Sequence, residues 1–569
     1  MGNIWKDVEF DNEIAVSMAE KLNIPLPIGQ ILAARGFRDT GTAETFLDAK
    51  LNDLKDPFLL PDMKKAVERI KDALKNNEAI TVFGDFDTDG VTATAVLVKV
   101  LRQLGGNVTG ALPERLSEGY GFSVAALKRS IKSSNPKLII TTDCGSSSVE
   151  AVKEAKKYDI DVIITDHHEA VGEIADALAI VNPKLGDDSE AKFLAGVGVA
   201  FKLCHALVKD FKSRDEDVAG IDLKEVLDLV AIGTVADVVP LLGDNRILVK
   251  HGLKRINSRP NAGLTALIKI AKIDSIMTCY HIGFVLAPRL NATGRLGNAD
   301  KSLELLLATD PREAFSLARE LDSINKERRI IENEIIESAV EDVDRRFDAR
   351  HTYGIVTGKE GWHVGVVGIV ASRICGRYHR PSIVIGFDED GIGKGSCRSV
   401  TGVNMVKALA ECEDLLEAFG GHEMAAGITI KKENLVAFRR RFNEVCSKSV
   451  EIKDMQPTFQ IDAWIDIDNA NEELLRGIER LSPVGSGNPT PIWGIRGVAP
   501  VDTPRIVGKN HIKMIVGKGD TQLDSIGFGL GDVELPSGSM DMLVQLKENR
   551  FGGRRSLQLN IKDFRPSEN

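Results

Sequence analysis

The stretch 79-AITVFGDFDTDGVTATAVLVKVL-101 begins as an apolar, β-branched run, halts at Asp85, Asp87 and Asp89, and resumes after Gly90 with helical spacing. β-Branched residues such as Ile80 and Val82 favour a buried strand, and the glycine supplies the turn before a helix starting near Val91. In an open parallel α/β sheet such a turn lies at the carboxyl edge of the strands, where ligands bind. Three carboxylates crowded at that edge repel one another unless a cation neutralises them. A solvated acidic turn or an Asp-capped helix start explains one copy of the pattern equally well.

The pattern recurs. PKLIITTDCG (136–145) is a second short apolar strand, ending at Asp143, and DVIITDHHE (161–169) is a third, ending at Asp166, His167 and His168. A fourth apolar stretch, LDLVAIGTVADVVPLL (227–242), reads as another strand and carries the lone acid Asp237. Amphipathic helical segments such as SSVEAVKEAKKY (147–158) alternate with the strands, so right-handed crossovers would gather the acids at one sheet edge. Asp87, Asp89, Asp143, His167 and Asp237 then form a set rich in hard oxygen donors, suited to Mn²⁺ or Mg²⁺ rather than to tetrahedral structural zinc. A central acid such as Asp143 could bridge two ions roughly 3.5–4 Å apart, a spacing used in phosphodiester hydrolysis.

Asp166-His167-His168 resembles the signature of the DHH phosphoesterases, and GDFDTDGVTATA resembles their first motif. Within that family the later text is similar to the RecJ branch of single-strand-specific exonucleases: FVLAPRLNATGRLGNADKSLELLL (284–307), GWHVGVVGIVASRI (361–374), GKGSCRSVTG (393–402), FGGHEMAAGITI (419–430) and LSPVGSGNPTPIW (481–493) follow in the expected order. The likeness runs from about Leu26 to about Pro566. Val364 and Val484 depart from it, where a glutamate and an aromatic residue are common; neither is a candidate metal ligand.

The resemblance implies roles. Asp87, Asp89, Asp143, His167 and Asp237 would hold two Mn²⁺ or Mg²⁺ ions, with Asp85, Asp166 and His168 lining the same catalytic site. Arg115, Arg295, Ser396 and Arg398 match a pocket for the 5′-terminal phosphate, which Arg373 and Ser399 extend, and His422 matches a cleft-facing histidine of the second domain. Planar, permanently charged guanidinium groups suit a terminal phosphate independently of the likeness.

At 569 residues with 43% hydrophobic content, the chain has ample material for several packed domains. Seven cysteines without CxxC spacing fit a reducing cytosol. No apolar run reaches membrane-spanning length, so the expectation is a cytoplasmic protein without a membrane partner. The net charge of −10 excludes coating of nucleic acid through overall charge. Basic residues do collect in KENRFGGRRSLQLNIKDFRP (547–566), where Lys547, Arg550, Arg554 and Arg555 flank Phe551, a mixture that suits a base-stacking strand tracker or an ordinary solvated hairpin.

The expected fold is α/β. A leader (1–75) packs on the catalytic core and precedes a parallel-sheet DHH domain (76–300). A long connecting helix (301–348) leads to a second α/β domain of DHHA1 type (349–450), and short alternating strands beyond Pro457 form an OB-fold β-barrel (451–569). The resemblance implies a monomeric two-metal exonuclease digesting single-stranded DNA from 5′ to 3′ in repair and recombination, with single-strand-binding protein and a RecQ-type helicase as partners. A phosphoesterase of short RNA or small phosphate compounds, and a catalytically inactive replisome scaffold, are the alternatives; the complete ligand set weighs against the scaffold.

Overall fold

The structure, a computed structural model, describes residues 3–567 except 115–120, 171, 188–190, 215–219, 259, 298 and 552–553. Its larger compact unit comprises Trp5–Gly294, Asn298–Arg319 and Gln460–Asn569, and its smaller one is chiefly Glu320–Phe459 with Arg295–Gly297.

In the larger unit, five strands lie parallel in the order β2-β1-β3-β4-β5: β1 (Ala79–Gly84), β2 (Asn107–Ala111), β3 (Leu138–Thr142), β4 (Asp161–Thr165) and β5 (Ala179–Val181). Every residue of β3 is buried, as a strand covered on both faces requires. Helix α1 (Thr88–Gln103) follows β1, capped by Asp87, whose side chain accepts from the Asp89 and Gly90 amides. Helix α2 (Gly196–Ser213) packs against it.

The stretch expected as a fourth strand is instead a helix, α3 (Leu227–Ala236), with Asp237 at its carboxyl end. Leu227 through Thr234 are all buried, so no polar face breaks the apolar run, and a helix enclosed on every side reads like a buried strand. Farther on, α4 (Ala287–Leu296) brings Asn291 against Thr88.

The 34-residue helix α5 (Pro311–Asp344) begins in the larger unit and ends in the smaller. Its sequence carries an aliphatic repeat at Leu317, Leu321, Ile324, Ile331 and Ile335, a stripe that Arg328 interrupts, and that stripe is not purely apolar. Arg328, which interrupts the aliphatic repeat, is buried beside Glu332 with Nη1–Oε2 at 2.7 Å, and Arg373 reaches the other oxygen of Glu332 at 2.6 Å. The smaller unit continues with β6 (Ile355–Glu360), α6 (Val367–Tyr378), β7 (Ser382–Phe387), β8 (Ile392–Arg398), β9 (Ala418–Gly421) and β10 (Ala425–Lys431). Their mixed sheet runs β9-β10-β8-β7-β6, with only β6 and β7 parallel.

The C-terminal strands are β11 (Ala463–Trp464), β12 (Trp493–Pro500), β13 (Arg505–Val507), β14 (His511–Lys518), β15 (Thr521–Phe528), β16 (Met540–Phe551) and β17 (Arg554–Pro566). They pair in the order β11-β12-β16-β17-β15-β14-β13, and β12 also pairs with β14 through Ala499↔Gly517 and Pro500↔Val516. That pairing closes β12, β16, β17, β15 and β14 into a five-stranded ring, the OB-type barrel. Arg555 pairs with Glu472 and Glu548, while the side chains of Arg550, Phe551 and Arg554 lie outside the described set.

The leader helices Asn12–Leu22, Leu26–Ala34 and Thr40–Asp48 share one apolar core with the barrel, in which Ile28, Ile31, Leu32 and Leu47 pack in the same cluster as Trp493, Met542 and Leu559. Arg246 ties the two together. Buried against the Phe46 ring at 3.7 Å, it donates to the carbonyls of Phe46, Arg480, Leu481, Ser482 and Pro483.

Candidate metal centre

Three of the acids leave adjacent strands at the same edge. Each directly follows its strand and keeps its amide in the ladder: Asp85 donates to Thr142 O (3.2 Å), Asp143 to Thr165 O (2.9 Å) and Asp166 to Val181 O (3.2 Å). The parallel order β1-β3-β4 therefore sets Asp85, Asp143 and Asp166 side by side. Asp143 adopts φ +60°, a left-handed conformation that a non-glycine residue holds only under constraint.

Around Asp143 the side chains converge. His167 Nε2 lies 3.1 Å from Asp143 Oδ1, 3.6 Å from Asp237 Oδ2 and 3.9 Å from Asp89 Oδ2. Three groups, each with ligand atoms within 4.8 Å of one another, emerge: Asp143, His167 and His168; Asp89, His167 and Asp237; and Asp85, Asp87 and Asp143. Asp143 and His167 are each shared by two of them. All eight predicted residues of this set belong to the larger unit. Asp237 arrives from the end of α3 rather than from a strand, its amide donating to Gly233 O at 2.9 Å.

The supporting bonds differ among the acids. Asp89 is buried and accepts from the Gly196 and Val197 amides at the start of α2, at 2.6 and 2.9 Å. A Cβ at Gly196 would sit 2.6 Å from Asp143 Cβ, so only glycine permits this approach. Asp166 is saturated by donors, accepting at Oδ1 from the His167 and His168 amides and at Oδ2 from the Ser146 amide, while its Oδ1 lies 2.8 Å from His168 Nδ1. Asn182 braces the turn, donating to Ser146 Oγ and His168 O. Asp166 thus orients the His-His pair, whose rings lie 4.4 Å apart.

In contrast, Asp143 Oδ1, His167 Nε2 and Asp237 Oδ2 are buried atoms without a hydrogen-bond partner, and they point at one another. Burial, followed by the charge of Asp87, pushes the Asp89 carboxyl up to about 7. Burial and then the charges of Asp89 and Asp87 push Asp237 up to about 8, and burial with the surrounding aspartates raises Asp143 well above the carboxylate range. His167 is lowered to about 4 by burial and then by the charge of His168. The hydrogen bond from Asp166 raises His168 to about 9. For Asp166, burial opposes ionisation, but the His168 bond and charge and the Ser146 donors outweigh it and hold the carboxyl below its usual value. Mutually repelling acids around a neutral imidazole nitrogen are a donor set that a divalent cation satisfies, and the geometry fits that group.

The remaining candidates fall in the smaller unit, apart from Arg115, which lies outside the described residues. Arg295 donates to Gly365 O at 3.1 Å. Ser396 and Arg398 are neighbours on β8, with Arg398 Nη1 donating to Ser396 Oγ at 3.1 Å, and they abut the first turn of α6, where a Cβ at Gly368 would lie 3.1 Å from Ser396 Oγ. Arg373, on α6, is paired with Glu332. The Ser399 hydroxyl is buried and spent on Val403 O at 2.5 Å, which makes it a turn holder. His422 is exposed in the turn between β9 and β10.

Sequence reasoning missed the Gly196 and Val197 amides, Ser146 and Asn182. The Gly-Val-Gly that opens α2 was a usable signal for close backbone approach; nothing marked the other two.

Three family models match: the DHH family N-terminal domain over residues 79–234, the DHHA1 domain over 351–448 and the RecJ OB domain over 461–563. The chain is 40% identical over 571 residues to the single-stranded-DNA-specific exonuclease RecJ of Bacillus subtilis, covering 99% of this chain and 71% of that one. The crystal structure of RecJ from Thermus thermophilus in complex with Mn²⁺ superimposes with a TM-score of 0.84 at 30% identity, over 100% of this chain and 80% of that one. The same protein in complex with Mg²⁺ gives 0.78 at 29% identity, over 100% and 79%. Among the described residues, no helix is long and apolar enough to cross a membrane. With the DHH, DHHA1 and OB domains in this order along the sequence, and a strand edge crowded with acids in the first of them, the chain belongs to the RecJ family of single-stranded-DNA-specific exonucleases.

Proposed function

We propose that this chain is a metal-dependent exonuclease that hydrolyses single-stranded DNA from the 5′ end with two divalent cations, Mn²⁺ or Mg²⁺, in repair and recombination. The observation that carries the reading is Asp143, whose carboxylate belongs to two adjacent groups of potential ligands. Asp85, Asp87 and Asp143 would hold one ion, and Asp89, Asp143, His167 and Asp237 the other. Bound there, the cations would supply an acidified water and neutralise charge on the departing oxygen. The chain's own contribution is positional. The α2 amides fix Asp89, the strand ladder fixes Asp85 and Asp143, and Asp166 fixes the imidazole of His168 beside the site.

Polarity would come from Ser396 and Arg398 beside the first turn of α6, where a guanidinium, a hydroxyl and helix amides suit a terminal phosphate; Arg115, Arg295 and Arg373 are proposed to assist. The enzyme would work as a cytoplasmic monomer, beside single-strand-binding protein and a RecQ-type helicase. The test is digestion, with Mn²⁺, of a strand labelled at either terminus, with and without a 5′ phosphate, alongside the matching duplex. Early release of a 5′ label from the single strand alone is expected; early release of a 3′ label, or equal digestion of the duplex, would overturn the reading.

A further inference from the structure

An aromatic pair stands in solvent on the run of helix that leads to the metal centre. Cys279–His281, a π-helical turn at Ile282–Leu286 and α4 follow one another without a break. Ile282 and Leu286 are buried, whereas Tyr280 and Phe284 are 64% and 72% exposed, and Ile276 just before the run is 65% exposed. The Tyr280 and Phe284 rings lie 5.0 Å apart at 31°, forming a broad open ledge. Large apolar side chains clustered in water mark a binding surface, and π-turns recur at functional sites.

The run reaches the catalytic edge directly. Ala287 O accepts from Thr88 Oγ at 3.3 Å, and Asn291 Oδ1 accepts from the Thr88 amide at 2.7 Å and from its hydroxyl at 2.8 Å. Thr88 sits between Asp87 and Asp89. At about 1.5 Å of rise per residue, Phe284 is about 5 Å along the axis from Ala287 and about 10 Å from Asn291. Arg289, in the same run, donates to Val285 O at 2.6 Å.

We propose that Tyr280 and Phe284 form a base-stacking ledge that positions the single strand as it meets the metal centre, an inference that rests on the nuclease reading above. Continuity with Thr88 favours the strand as the occupant, and the flat rings accept any base. Three side chains are also far fewer than the roughly 20–30 residues a side of a stable protein interface. Stacking on one aromatic ring changes affinity by a factor of about 5 to 150 per base.

The experiment compares the full chain with Tyr280→Ala/Phe284→Ala and Tyr280→Phe/Phe284→Trp, using Mn²⁺ and two single strands, one normal and one abasic over its 5′ four nucleotides. For the alanine variant, KM on the normal strand should rise about 10- to 100-fold with kcat within about twofold. On the abasic strand the parent should be impaired already, and the alanine variant no further. The aromatic variant should behave like the parent. An unchanged KM in the alanine variant, or equal losses on both strands, would overturn the ledge while leaving the nuclease reading intact, and would assign the patch to a protein partner or to structural support. A parent that neither binds nor cuts either strand would overturn both.

Discussion

Asp237→Asn separates the electrostatics of the metal centre from its architecture. The Asp237 carboxyl is pushed from 3.8 to about 8, first by burial and then by Asp89 and Asp87. In metal-free protein the folded state therefore retains a proton that the unfolded chain gives up. Stability from this group is complete below 3.8 and is lost as pH rises through about 8, with a slope of about 1.4 kcal/mol per pH unit. Between about pH 6 and about pH 7.5 the chelated parent should lose about 2 kcal/mol through Asp237 alone, seen as a fall of a few degrees in melting temperature. An asparagine amide does not titrate, so the variant should show a flatter pH profile and melt higher than the parent at the alkaline end. Mn²⁺ should reverse the order. The parent gains about 2.7 kcal/mol when the ion stands at about a hundred times its dissociation constant, and the variant gains much less. Scanning calorimetry in chelator and then in Mn²⁺ reads both effects. Parallel pH profiles for the two proteins, or equal stabilisation by Mn²⁺, would refute the reasoning.

Asp143→Asn should lower single-strand hydrolysis at least about a thousandfold while keeping the circular dichroism of the parent, because its carboxylate belongs to both proposed ion sites. Ser396→Ala/Arg398→Ala should raise KM for a 5′-phosphorylated strand by about tenfold or more and leave a 5′-hydroxyl strand nearly unaffected, as the loss of charge-assisted bonds predicts. Glu332→Ala strands Arg328 in a buried position and should destabilise the smaller unit by about 3–5 kcal/mol, measured by urea unfolding; Glu332→Met/Arg328→Leu should cost far less.

The sheet edge was legible in the chain because a parallel strand announces itself with a short β-branched run and a sharp end. Asp85, Asp143 and Asp166 each follow such a run, and the regular spacing of parallel strands does the rest. Asp237 was legible as a member of the acidic cluster but not as a helix residue, because α3 is enclosed on all sides and lacks the polar stripe that separates a helix from a strand. The amides that secure Asp89 left little trace, since a backbone donor has no side chain to advertise it. Ser399 shows the opposite failure: a serine beside an arginine in a glycine-rich segment suggests anion binding, yet local geometry turns its hydroxyl to a backbone carbonyl. In the long helix, Arg328 read as a break in the apolar stripe, whereas a carboxylate one turn on lets it be buried there.

The apolar core common to the leader helices and the barrel couples helices of residues 12–48 with strands of residues 463–566, far apart in sequence. On a ribosome, Ile28, Ile31 and Leu47 emerge well before Trp493, Met542 and Leu559, and their hydrophobic faces wait through that interval to be covered. Through that interval the nascent chain carries an unfinished, adhesive surface, the kind of exposed apolar face that chaperones bind. The same interval makes the barrel a late checkpoint. A chain cut short before residues 540–566 leaves the apolar faces of Ile28, Ile31 and Leu47 without the strands that cover them.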